Sequence, residues 1–138
     1  FYSYVATIPR IIPEQWHYGR RELALKLQPL LPQYNNVYLT NKGGPPYIFL
    51  AFYFKIPPKV LYQTIERDSF IDNLGWGHVN KVLNVIIPRK FDWNKVPKDP
   101  DTLYVGSGNE IPENELVVID RVNYPDGSQA YVIGKLKP

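Results

Sequence analysis

The chain reads as an α/β domain, a mixed sheet of about five strands with helices packed on it and an antiparallel hairpin at its C-terminal end. Three observations predict this. Helical and β-rich segments alternate through the first half, strand-like runs dominate the second, and Pro125-Asp126-Gly127-Ser128 separates two apolar runs in the manner of a hairpin turn. No internal repeat, low-complexity tract or linker divides the chain, so residues 1–138 are expected to form a single domain.

Residues 1–13 are apolar but interrupted by Pro9 and Pro13, which argues for an extended lead-in. Over residues 14–31, Trp16, Leu23, Leu25, Leu27 and Leu30 fall among Arg20, Arg21, Glu22 and Lys26. Pro13 is placed to begin a helix there, and Pro29 and Pro32 bracket its end. Residues 33–36 turn the chain into a strand at Val37, Tyr38 and Leu39. Gly43-Gly44 permits unusual backbone angles, and Pro45-Pro46 suits a helix start, where missing N–H groups cost little. The aromatic run over residues 47–54 is therefore a buried helix, ending before Pro57-Pro58.

A second short helix over residues 59–67 carries Val60, Leu61 and Ile65 at roughly helical spacing, and the turn formers of residues 68–78 predict a loop. Residues 79–87, VNKVLNVII, read as one β-branched strand stopped by Pro88. A polar connection with Pro97 and Pro100 leads to a short buried strand over residues 102–105, which Gly106-Ser107-Gly108-Asn109 turns at its end. Residues 116–124 and 129–136 form the terminal hairpin.

With 44% hydrophobic and 14% aromatic residues, the 138-residue chain can fill one core. At this size folding buries roughly two thirds of the unfolded surface, so the composition argues against disorder. The net charge of +3 and pI near 9.0 arise from 16 basic and 13 acidic residues without a dense run. Nucleic-acid binding needs a clustered footprint, so no nucleic-acid partner is predicted; Arg20-Arg21, Arg89-Lys90 and Lys135 with Lys137 read mainly as solvated surface. The absence of Cys excludes disulfides, thiolate metal sites and thiol nucleophiles, and leaves the compartment open. His17 and His78 are the only histidines, and no spacing advertises a zinc site, so neither metal nor cofactor is predicted. No apolar run reaches the roughly 18 residues of a membrane span. A chain that lacks Met and opens Phe1-Tyr2-Ser3-Tyr4 is expected to be a fragment or a processed product.

The first site candidate is the tip Thr40-Asn41-Lys42, because ligands of α/β sheets bind beyond the carboxyl ends of strands; Tyr47 at the following helix start joins it. A phosphate loop at Gly43-Gly44 is disfavoured. There is no GxxxxGK followed by Ser or Thr, and Pro45-Pro46 remove two N–H donors where a phosphate cradle needs them. Gly106-Ser107-Gly108 departs from the GxSxG elbow, since its serine comes one place early and Asn109 replaces the last glycine. Trp76-Gly77-His78, near Asp72-Asn73, has the composition of a sugar- or peptide-binding loop, against a plainer reading as a surface loop pinned by one buried Trp. Trp16-His17-Tyr18-Gly19 divides likewise between an exposed aromatic platform and helix packing, and packing is preferred. Glu110, Glu113 and Glu115 read as the solvated approach to the strand at Leu116, because nothing sets a second carboxylate at the roughly 5 to 9 Å that acid/base work requires.

Four segments occur together in one order: WHYGRREL at 16–23, VYLTNKGGPPYIFLAFYF at 37–54, TLYVGSGNEIP at 102–112 and the final Asp-Gly hairpin. Together they resemble the C-terminal soluble domain of bacterial polytopic membrane glycosyltransferases, the group related to dolichyl-phosphate-mannose protein mannosyltransferases and aminoarabinose transferases. The opening FYSYVATIP and the longer stretch at 68–78 depart from that pattern. The resemblance implies a parent protein with many membrane helices, a lipid-phosphate-linked sugar donor and a catalytic carboxylate in an extracytoplasmic loop near its N-terminus. These 138 positions hold no counterpart of the catalytic motif. What is implied for this domain is an accessory, non-catalytic role at the extracytoplasmic face of the bacterial membrane. The implied partner is the membrane-embedded part of the same polypeptide; Asn41, Lys42 and Tyr47, from their place at the strand-to-helix tip, are the candidate contacts to acceptor or lipid-linked donor. The alternative is a free-standing extracytoplasmic glycan- or peptide-binding module with Trp76 and His78 in its contact surface. A small α/β enzyme, the third reading, requires a pocket holding a reactive carboxylate or His pair.

Overall fold

The structure, a computed structural model, describes Thr7, Ile11, residues 17–71 and residues 77–138, with the backbone alone for residues 69–71. Among the described residues a seven-stranded mixed sheet forms the centre of the molecule. The elements in chain order are α1 (Arg20–Leu27), β1 (Asn36–Leu39), α2 (Tyr47–Tyr53), α3 (Pro58–Thr64), β2 (Glu66–Ile71), β3 (Gly77–Val82), β4 (Val85–Ile86), β5 (Thr102–Ser107), β6 (Leu116–Asn123) and β7 (Gln129–Leu136). The strand order is β2-β3-β4-β1-β5-β7-β6; β1 runs parallel to both β4 and β5, and the other pairings are antiparallel. No helix among the described residues is long and apolar enough to cross a membrane.

Side-chain alternation along the central strands creates two cores, one on each face of the sheet. Val37 and Leu39 of β1, with Leu103 and Val105 of β5, face the helices, where Leu23, Ala24, Leu27 and Leu50 meet them. Tyr38 and Tyr104 point the other way, into a smaller core with Trp93, Val96, Ile111 and Leu116. All six residues of β5 are buried, as expected of a strand covered on both faces.

Seven strands replace the expected five for two local reasons. Residues 79–87 divide because Leu83 adopts φ 54°, which folds β3 back onto β4 through Leu83 and Asn84. Asn84 secures that turn by donating from Nδ2 to the carbonyls of Leu31 and Tyr34, both at 2.9 Å. The second helix stops at Thr64, since Ile65 is already extended, and part of the expected loop at 68–78 is strand instead. β2 lies at the sheet edge, where a polar sequence is the ordinary device against unwanted pairing; Glu66 faces Lys81 across the ladder in an ion pair of 3.1 Å.

At the other end of the sheet, Gly106 and Ser107 belong to β5 rather than to the turn, which begins at Gly108. The hairpin of β6 and β7 forms as read, with two irregularities: Ala130 is an extra residue of β7 between the pairs Val122–Tyr131 and Asn123–Gln129, and the other lies in β6. Val118 pairs Gly134 and Asp120 pairs Ile133, so Ile119 is an extra residue bulging from β6. The inserted residue changes which face the even positions occupy. Leu116 lies in the smaller core, whereas Val122 lies in the helix-side core and Asp120 meets Lys26 of α1 at 2.8 Å.

Of the helices with described bounds, the first is α1, which begins at Arg20. Gly19, its N-cap at φ 82°, ends the preceding turn in a conformation no helix can include; Glu14, Gln15 and Trp16 lie outside the described residues.

Candidate functional site

The tip of β1 is held by three sets of contacts. Thr40 is fully buried; its N–H donates to Val105 O at 2.9 Å and its Oγ1 accepts from the Lys42 N–H at 3.1 Å. The Gly44 N–H closes the loop onto Asn41 O at 3.3 Å. From beneath, Arg20 Nη2 donates to Lys42 O at 2.7 Å and to Gly44 O at 3.1 Å. Gly43 and Gly44 take φ 79° and 100°, which lets both carbonyls reach the same guanidinium nitrogen. The Gly-Gly pair is thus a structural loop, in keeping with the missing phosphate motif.

Pro45-Pro46 then launches α2, with the Leu50 N–H bonded to Pro46 O at 3.1 Å. Between this helix start and β3 lies a cleft of about 360 Å³ lined by Asn41, Gly44, Pro45, Pro46, Tyr47, Ile48, Gly77, His78, Val79 and Arg89. It lies beyond the carboxyl end of β1, where α/β sheets present their ligand sites. His78 Nε2 is 2.8 Å from Ile87 O; a carbonyl only accepts, so that nitrogen carries a proton and the imidazole is oriented by the backbone of the neighbouring chain segment. Arg89 Nη2 pairs with Asp68 Oδ2 at 3.1 Å. Asn41 Oδ1 is buried and has no hydrogen-bond partner among the described residues, an unsatisfied acceptor in the wall of the cleft.

Three of the five sequence-predicted site residues, Asn41, Tyr47 and His78, therefore line one cleft. Lys42 points elsewhere, into an adjoining depression of about 560 Å³ with Ser107, Gly108, Asn109, Glu110, Ser128 and Gln129. Trp76 lies outside the described residues, as do Asp72 and Asn73. His78 sits on a strand and not in the expected loop.

Sequence reasoning missed two cations. Arg20, read as solvated, is only 3% exposed. A signal was present, because Arg20 shares the spacing of Leu23, Ala24 and Leu27 and so belongs to the buried stripe of α1. Arg89 reaches the cleft through the β3–β4 turn and the edge strand that carries Asp68, neither of which the sequence disclosed. The three glutamates have structural partners. Glu110 Oε2 accepts the Ser107 N–H at 2.8 Å, Glu115 Oε2 accepts Trp93 Nε1–H at 2.8 Å, and Glu113 pairs with Arg121.

Compared with known families, curated proteins and solved structures, the chain matches no family model, no curated protein and no solved structure.

Proposed function

We propose that this chain is an accessory extracytoplasmic domain of a membrane glycosyltransferase that uses a lipid-linked sugar donor, and that its cleft positions the acceptor or donor sugar without catalysing transfer. The observation that carries the reading is the chemistry of the cleft wall. The amide of Asn41, the imidazole of His78 and the guanidinium of Arg89 offer directional hydrogen bonds, and the Tyr47 ring offers a flat apolar face. That is the set by which a sugar is held, its hydroxyls bonded and its C–H face stacked. The motif resemblance supports the membrane-enzyme setting.

A second reading, a free-standing glycan- or peptide-binding module, draws on the same cleft wall of Asn41, Tyr47 and His78. Titration of the isolated chain with glycans, followed by amide NMR shifts, separates the two. Saturable binding with shifts at Asn41, Tyr47 and His78 favours the module. Its absence, together with impaired sugar transfer when Asn41→Ala is placed in the intact polypeptide, favours the accessory domain.

A further inference from the structure

The two edges of the sheet differ in sequence. β2 at one edge is polar, whereas β6 at the other opens with Leu116-Val117-Val118-Ile119, four consecutive β-forming residues of which Val117 is 38% and Ile119 39% exposed. No strand among the described residues covers the outer side of β6. An open apolar edge of this kind is a template for pairing with another chain.

The register shows which backbone groups face that open side. The Lys137 N–H donates to Glu115 O at 3.0 Å, so Lys135, Ile133 and Tyr131, at every second position back along β7, also turn their backbone groups to β6. Ile133 and Tyr131 pair with Asp120 and Val122, which leaves the N–H and C=O of the intervening Arg121 directed outward. Both are already occupied. The Arg121 N–H donates to Asp120 Oδ1 at 2.7 Å, and Arg121 O accepts from Lys26 Nζ at 2.6 Å. The same ammonium group donates to Asp120 Oδ1 at 2.8 Å and meets Glu22 Oε1 at 3.2 Å, so α1 holds the arrangement in place. The bulge at Ile119, just before it, interrupts the regular spacing that an added strand needs.

We infer that Lys26 and Asp120 close the β6 edge, occupying the outward N–H and C=O of Arg121 so that a second copy of the chain does not extend the sheet there. The association they prevent is isologous: two β6 strands lying antiparallel about a two-fold axis would join two sheets into one. The inference does not rest on the glycosyltransferase reading.

Sedimentation velocity over a concentration series tests it, on the native chain and on a double variant carrying Lys26→Ala and Asp120→Ala. The native chain is expected to sediment as a monomer, and the double variant to dimerise at concentrations at least about tenfold lower, as the release of two charge-assisted hydrogen bonds predicts. Adding Arg121→Pro, which removes the outward N–H without removing a bond to β7, is expected to restore the monomer. Amide exchange in the single variant Asp120→Ala decides the matter should the double variant not fold: the Arg121 amide is expected to exchange about tenfold faster than in the native chain. A folded double variant as monomeric as the native chain overturns the inference. So does dimerisation that survives Arg121→Pro, a native chain that already dimerises through β6, or an Arg121 amide indifferent to Asp120. None of these results bears on whether Asn41 and His78 hold a sugar.

Discussion

Arg20 is buried beneath the loop it supports, with Nη2 committed to two carbonyls and Nε and Nη1 without hydrogen-bond partners among the described residues. The rings of Phe49 and Tyr131 lie 5.5 and 5.7 Å from the guanidinium carbon. Burying a charge so sparsely bonded is costly, and an apolar side chain of similar length often stabilises such a position. Arg20→Met is therefore expected to hold or raise the melting temperature while loosening the β1 tip. Hydrogen exchange reads this: the Gly44 amide, bonded to Asn41 O, should exchange about tenfold faster, in line with the loss of hydrogen bonds from a charged donor. Unchanged exchange would show that Arg20 does not hold the loop. Gly106 is set by space instead of backbone angle. A Cβ there would stand 2.6 Å from Ile111 Cγ1, in the smaller core. Gly106→Ala should cost about 1 to 3 kcal/mol in urea unfolding, the usual penalty for overfilling a packed site. The local sequence places Arg20 on the buried stripe of α1 but does not say which carbonyls it meets, and nothing local announces Gly106, because each contact depends on a residue brought close by the tertiary fold.

Elements were legible where their signals are local. The hairpin of β6 and β7 was readable because Pro-Asp-Gly-Ser fixes the turn: Asp126 Oδ1 accepts the Ser128 N–H at 2.9 Å and the Gly127 N–H bonds Tyr124 O at 2.9 Å. α2 was readable as a helix from its proline start and apolar run, but not as a buried one: only Leu50 is buried, and Ile48 and Phe52 are exposed. β2 was not, since ERDSFI resembles a loop until β3 is beside it, and the division of 79–87 depends on a leucine with positive φ, which composition does not disclose. The bulge at Ile119 was equally hidden, yet it brings Asp120 to Lys26 and ties the hairpin to α1. Hydrogen bonding from Lys26, the largest cause, and the Arg121 N–H lower the carboxyl pKa of Asp120, while partial burial opposes them. A lowered folded pKa means the pair contributes stability fully above the unfolded value of about 3.9 and loses it as pH falls past the folded value. At this partly exposed position the contribution is under about 1 kcal/mol. Asp120→Asn should therefore lower stability slightly near neutral pH and flatten its dependence on acid below pH about 4, as followed by urea midpoints across pH. An unchanged acid slope would deny the pair that role.

At the scale of the whole molecule, the mixed sheet follows from alternation and hairpin signals, whereas the distribution of the site does not. Asn41 and Lys42 are adjacent in sequence but face separate depressions, because side chains diverge where the chain leaves β1. His78 reaches Asn41 and Tyr47 only because β3 and α2 pack on each other. The central claim is that the cleft holds the sugar of a transferase, and it is tested most directly by sugar transfer in the intact polypeptide carrying Asn41→Ala and His78→Ala together. Loss of two ligand hydrogen bonds of about 1 kcal/mol each predicts a fall in transfer of roughly ten- to thirtyfold, with the domain's folding retained. Unaltered transfer and acceptor choice in a folded double variant would contradict it.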